Sequence, residues 1–214
     1  MQKIIKQRLF PYNGDKLLFN KLLIDDDSVN YISNPIDSNI ISNIILDNCN
    51  KLNLKNITIT DATAGTGGNV ISFIETFSYV NAIEIDPTRY KYLLNNINVY
   101  NLGNITVYCD NCLNLLNEID KQDVIFIDPP WGGKSYKEKK NLKLYLSGIG
   151  IEDICLNLLT VKAIPSLVVI KLPINYNLKY FYNKLKYKYK ILLYEMNKMN
   201  IVVLKNLHIF PNVK

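Results

Sequence analysis

From Ile57 onward, short apolar runs alternate with amphipathic stretches long enough for helices, and this alternation constrains the fold more than any other feature of the chain. Strands are expected near 57–61 (ITITD), 80–85 (VNAIEI), 105–109 (ITVYC), 124–128 (VIFID) and 167–172 (LVVIKL), with helices near 69–78, 87–100, 112–119 and 151–163. Strands separated by helix-length segments need crossover connections, and those build a parallel sheet covered on both faces. Segment 187–206 instead reads as two strands around a turn near Asn197 to Asn200, an antiparallel hairpin. The result is an α/β, Rossmann-like architecture whose mostly parallel sheet ends in that hairpin. Residues 1–50 carry helical patterns near 13–23 and 36–50, Pro35 with Asp37 or Ser38 marking the second start. They are expected to form a helical extension on a domain spanning 51–214.

No apolar run is long enough for a membrane span, and the amino terminus MQKIIKQRLF is too polar for a signal peptide. The four cysteines, Cys49, Cys109, Cys112 and Cys155, fit a reducing intracellular compartment, nuclear or cytoplasmic. Cys109 and Cys112 form a CxxC, but no second pair and one histidine, His208, accompany it, so no metal site is expected. Charge is unevenly spread. Residues 1–133 carry 10 basic and 15 acidic side chains, residues 134–214 carry 15 and 4, a net of +11 in the last third. That third suits a polyanion, or is simply a lysine-coated surface.

Chemistry is expected at the strand ends. Asp61-Ala62-Thr63-Ala64-Gly65-Thr66-Gly67-Gly68-Asn69 closes the first strand and opens a helix, a glycine-rich turn that lets a ligand approach the backbone, or a plain structural turn. It lacks the GK[ST] of a nucleoside triphosphate loop. Glu84, at the end of the second strand, is placed to accept hydrogen bonds from two ribose hydroxyls. Asp86-Pro87 reads as a helix N-cap and first turn. Asp110 or Asn111 can accept from an exocyclic amine, or either serves a turn. Asp128-Pro129-Pro130-Trp131-Gly132-Gly133 follows the strand VIFID. There a carboxylate and the Pro129 carbonyl can both accept from a planar amino group, and Trp131 offers a face for a base. Lys179-Tyr180-Phe181-Tyr182 to Lys190 interleaves cations with aromatics, which suits RNA, while Phe181 and Leu185 are equally spaced for a helix that buries one face.

These motifs resemble class I S-adenosylmethionine-dependent methyltransferases that act on base amino groups. DATAGTGGN, IEIDP and DPPWGGxxY, with QRLF and YISNP ahead of them, resemble the trimethylguanosine synthase (cap hypermethylase) family, in its compact protist and viral form. The likeness runs from about Gln7 to Pro173. It implies a seven-stranded class I methyltransferase domain, S-adenosylmethionine as cofactor, and transfer to the 2-amino group of 7-methylguanosine capped RNA. It also implies a monomer without metal or membrane partner.

The resemblance assigns the cofactor to Asp61, Gly65 and Glu84 and its adenine to Asn111 or Asp110, with Ala62, Thr63 and Asp128 as further cofactor candidates; it implies catalysis by Asp128, Pro129 and Trp131 and cap binding by Trp131 and Tyr136, with Lys134, Lys171 and Asn175 as further substrate-binding candidates. The family usually has Gly-Asp where this chain has Asp110-Asn111, often Ser in place of Asp128, and Arg-Asn where this chain has Ile174-Asn175. Phosphate contacts would then pass to Lys171 or to the loop 134–143. Two alternatives stay open: a methyltransferase acting on N6-adenine or guanine-N2 in non-cap RNA or DNA, for which DPPW is also a favoured spelling, and a non-catalytic cap- or RNA-binding module.

Overall fold

The computed structural model describes residues 2–211, apart from the side chains of Gln2, Lys3 and Lys134. Nine strands are described: β1 Thr58–Asp61, β2 Tyr79–Glu84, β3 Ile105–Cys109, β4 Val124–Ile127, β5 Tyr145–Leu146, β6 Ile149–Gly150, β7 Leu167–Pro173, β8 Tyr189–Glu195 and β9 Met199–Asn206. The helices are α1 Gln2–Leu9, α2 Leu18–Lys21, α3 Ser28–Tyr31, α4 Pro35–Lys51, α5 Gly68–Thr76, α6 Pro87–Tyr100, α7 Cys112–Leu115, α8 Ile151–Asn157 and α9 Leu178–Leu185. Seven strands form one sheet in the order β3-β2-β1-β4-β7-β9-β8. The pairs β1–β2, β2–β3 and β4–β7 are parallel, and β9 runs antiparallel to both β7 and β8. This is the expected class I methyltransferase architecture, closing hairpin included. The chain divides into two compact units, Met1–Cys112 and Leu113–Lys214.

In the first unit, β1 is buried along its whole length, and Ile59, Val80, Ala82 and Ile83 are fully enclosed. Strands buried on both sides in this way mark a sheet covered on both faces. Asp86 caps α6 by accepting the Thr88 and Arg89 amides at 2.8 and 2.9 Å, with Pro87 in the first turn, as the sequence predicts. Asn34 caps α4 in the same way, accepting from Ile36 and Asp37 at 3.0 Å. Leu9, Phe10, Leu18, Phe19 and Leu22 form an apolar cluster with Ile71 of α5.

The expected 13–23 helix shrinks to α2. Asn13 and Asp15 accept local amides from Asp15 and Leu17, and Gly14 sits at φ +95, so side chains compete with the backbone for the first turn. The polar-looking α1 was not expected. Its Lys6 ammonium donates to the Leu22 carbonyl at 2.7 Å, a tertiary tie that periodicity does not report.

In the second unit, β4 and β7 are wholly buried and β9 is buried at every position. The expected 151–163 helix stops at Asn157 because Thr160 turns both its amide and its hydroxyl onto the Asn157 carbonyl, at 3.0 and 2.9 Å. The expected 112–119 helix shortens to α7, and two consecutive amides, those of Glu118 and Ile119, then close on the Leu115 carbonyl. Helix α9 buries Phe181 and Leu185, the helical one of the two readings of that stretch, capped by Asn177, which accepts the Tyr180 amide at 3.0 Å.

Candidate active site

The first unit gathers its candidates at the carboxyl ends of β1, β2 and β3. Asp61 is 1% exposed and accepts the Thr63 amide at 3.0 Å, folding 61–63 into a tight turn around the buried Ala62 and half-buried Thr63. Ala64 donates to the Ile83 carbonyl at 2.9 Å and ties the loop to β2. The glycines do different work. Gly65 lies at φ +56, a left-handed conformation, and a Cβ there would meet nothing within 4 Å, so the space over the loop is open. Gly68 has no such φ. A Cβ there would lie 2.5 Å from the Ile32 side chain and 2.7 Å from the Ser33 carbonyl, so its glycine is required by packing.

Glu84 is 7% exposed, and its two oxygens accept the Gly65 amide at 2.7 Å and the Asp86 amide at 2.8 Å. Burial pushes its pKa above the ordinary carboxylate value, against the two amides and the Arg89 charge, which pull it down. Asp110 is exposed and accepts the Asn111 amide at 2.6 Å, so both lie in the turn beyond β3. Sequence reasoning missed Asn96. It is fully buried on α6, where its amide donates to the Leu23 and Thr66 carbonyls at 2.8 and 2.9 Å and its oxygen accepts the Leu23 amide at 2.8 Å. Its signal was present: a polar residue on the same helical stripe as buried Leu93 and Ile97.

The second unit holds the other group, beyond β4. The carboxylate of Asp128 meets the Lys171 ammonium at 2.7 Å, the two side chains 18% and 5% exposed. Register produces this pair. Ile127 of β4 stands opposite Ile170 of β7, and the next residue on each strand follows in step. Burial raises the Asp128 pKa, and the Lys171 charge and hydrogen bond lower it in part. The Lys171 nitrogen also lies 5.6 Å from the centre of the Trp131 ring.

Pro129 is buried and Pro130 exposed. Gly132 and Gly133, at φ +91 and +69, turn the chain into a short 3-10 helix, Lys134–Glu138, that carries Tyr136 edge-on to Trp131 at 5.1 Å and 74°. Asn175 donates to the Tyr136 and Lys139 carbonyls, both at 2.7 Å, and so fixes that helix and its exit. Trp131 is half-buried, and its indole nitrogen has no acceptor among the described residues. The backbone of Lys134 opens the 3-10 helix, and its side chain lies outside the described residues. Ile174 is 63% exposed.

Residues 56–209 match the family described as RNA cap guanine-N2 methyltransferase, well over half of the chain. The chain belongs to that family. A protein of Acanthamoeba polyphaga mimivirus is 40% identical over 94% of this chain and 85% of its own length. The trimethylguanosine synthase of Schizosaccharomyces pombe is 33% identical over 38% of the chain, which spans only 36% of that protein. Among solved structures, the N-terminal domain of human METTL16 superposes with a TM-score of 0.64 at 14% identity, covering 86% of this chain and 74% of that one, a likeness of fold.

The methyl donor of the family is S-adenosylmethionine. The open space over Gly65 and the acceptor set at Asp61 and Glu84 fit such a group. No helix among the described residues is long and apolar enough to cross a membrane, and no metal-ligand cluster occurs among them.

Proposed function

We propose that this enzyme transfers a methyl group to the 2-amino group of 7-methylguanosine in capped RNA, forming di- or trimethylguanosine caps. The observation that carries the reading is the corner after β4: a largely buried carboxylate held by a lysine, three residues before the lone tryptophan of the chain, whose ring is braced edge-on by Tyr136.

In this reading residues 51–214 form the methyltransferase domain, 1–50 its extension, and the enzyme acts as a monomer. S-adenosylmethionine supplies an electrophilic methyl group on a sulfonium. Glu84 accepts the ribose hydroxyls through lone pairs left over from its two amide bonds, Asp61, Ala62, Thr63 and Gly65 form the floor of the cofactor site, and Asn111 or Asp110 accepts the adenine amine.

The face of Trp131 stacks on the cationic 7-methylguanine, a contact of about 1–2 kcal/mol. Its exocyclic nitrogen is a poor nucleophile because the lone pair is delocalised into the ring. Asp128 and the Pro129 carbonyl accept its two N–H groups and favour a tetrahedral nitrogen with the lone pair free. Orienting that nitrogen supplies several kcal/mol of the barrier. A strong general base is not needed, since the product amine is a cation that sheds its proton readily. Lys171 offsets in part the burial that raises the Asp128 pKa. With the Lys171 ammonium engaged there, the phosphates of the cap fall to Lys134 and its neighbours Lys137, Lys139 and Lys140. Asn175 serves the base by holding Tyr136 in place.

Asp128 itself favours a second reading, transfer to the 6-amino group of adenine or to guanine in non-cap RNA or DNA, because Asp-Pro-Pro-Trp is a favoured spelling of such enzymes. Incubation with labelled cofactor and either a 7-methylguanosine cap dinucleotide or an uncapped adenosine-containing oligomer decides between them. Label in N2-methylated cap guanosine is the expected result. Label in adenosine selects the second reading, and label in neither substrate selects a binding module that no longer transfers methyl groups.

A further inference from the structure

We propose that the outer face of α9 and the segment after it form a track for single-stranded RNA, holding the nucleotides that follow the one methylated. This rests on the proposed cap activity for the substrate and on independent residues for the surface. Helix α9 needs only Phe181 and Leu185 to seat itself, yet the same stretch presents Tyr180, Tyr182 and Tyr187 at 37, 53 and 80% exposure. Aromatic rings with no role in a core are costly to leave in water in such number and density, and they offer π-faces to unpaired bases.

Each ring has an ammonium beside it. Lys143 sits 3.4 Å from the centre of Tyr180, and Lys186 lies between two rings, 5.9 Å from Tyr182 and 5.1 Å from Tyr187. A cation between two stacking faces matches the alternation of base and phosphate along a single strand.

The track is joined to the loop that follows Trp131. The Leu142 amide donates to the Asn175 carbonyl at 2.9 Å, and the Asn177 amide to the Leu142 carbonyl at 2.8 Å. That stitch brings Lys143, the last lysine of the loop, onto the α9 surface. Charge complementarity is favourable, since residues 134–214 carry 15 basic and 4 acidic side chains. Among the described residues on this face, Asp153 pairs with Lys184 and leaves Lys143, Lys179 and Lys186 for phosphates.

The test uses the full chain and fluorescence anisotropy with a labelled, uncapped oligouridine of about 12 nucleotides. The same length of duplex RNA and vesicles rich in phosphatidylserine serve as competing probes. The oligouridine should bind best and weaken on the order of 20-fold between 50 and 200 mM salt, as expected for about three phosphate contacts. The double variant Tyr182→Ala with Tyr187→Ala should weaken it about ten-fold or more, Lys186→Glu should weaken it and flatten the salt slope, and Lys55→Glu, in the first unit, should not.

In methyl transfer, the same double variant should raise KM for a capped oligomer but leave KM and kcat for a cap dinucleotide unchanged. Equal binding of variant and parent, preference for duplex or vesicles, or equal loss with the dinucleotide would overturn the track. Failure of the proposed cap activity reads differently: the oligouridine still binds through the tyrosines while the dinucleotide is not methylated.

Discussion

The two units build their candidate sites by opposite means. In the first, the backbone does the shaping: a left-handed Gly65, an Asp61 turn, and amides of Gly65 and Asp86 that satisfy Glu84, in a region richer in acids than in bases. In the second, side chains shape the site through charge and rings: Asp128 with Lys171, Lys171 beside Trp131, Trp131 against Tyr136. On the proposed function, the contrast teaches that a cofactor common to many enzymes is held by backbone geometry and the choice of base by a few side chains that can be exchanged.

The largest effects are expected where the side-chain site is cut. Asp128→Ala or Trp131→Ala should reduce methyl transfer by about 1,000-fold or more, and Trp131→Ala should leave the dissociation constant for S-adenosylhomocysteine within about two-fold, by calorimetry. Retained turnover in both variants contradicts the site.

Next in size is Lys171→Met, which leaves Asp128 buried without its cation, a loss on the order of 3 kcal/mol in denaturant unfolding near neutral pH. The sign with pH follows from the raised pKa of Asp128. Burial already favours the protonated acid in the folded state, and removing Lys171 favours it further, so the variant's deficit should shrink as pH falls and grow as pH rises through that pKa. The acid limb of activity should move to higher pH in the same variant. Adding Asp128→Asn should restore part of the lost stability, because a neutral amide has no charge to leave unpaired.

On the backbone side, Asn96→Ala removes three hydrogen bonds that join α6 to the Leu23 segment and to the glycine loop. It should cost about 2 kcal/mol and weaken cofactor binding several-fold, with kcat at saturating cofactor little changed. The smallest effect is expected at Gly65→Ala: about 1–2 kcal/mol of strain from a left-handed alanine, with no steric clash, read in thermal unfolding. Gly68→Ala should cost more, although its φ is unremarkable, because the Ser33 backbone would have to move.

Much of the fold was legible because buried strands write apolar runs and Asp86 writes its cap locally; the start of α4 was legible from Pro35, but its cap, Asn34, was not singled out. The motif after β4 was legible because Asp128 to Gly133 is contiguous. What escaped depends on register and on tertiary ties. Lys171 read as a phosphate ligand because nothing local joins it to Asp128, and the pair exists only once β4 and β7 align Ile127 with Ile170. The hairpin of β5 and β6 consists of two-residue strands, too short for any periodicity, and the short α1 is seated by Ile5, Leu9 and a lysine reaching the Leu22 carbonyl, contacts that only the folded chain brings together.

In the proposed function, Asp128, Pro129 and Trp131 present a capped guanine for methylation at its 2-amino group. A crystal structure with S-adenosylhomocysteine and a 7-methylguanosine cap dinucleotide tests it most directly. The expected result is the guanine ring stacked on Trp131 with its 2-amino nitrogen within hydrogen-bond reach of the Asp128 carboxylate and the Pro129 carbonyl. A cap bound away from Trp131, or one presenting another edge to Asp128, would contradict it.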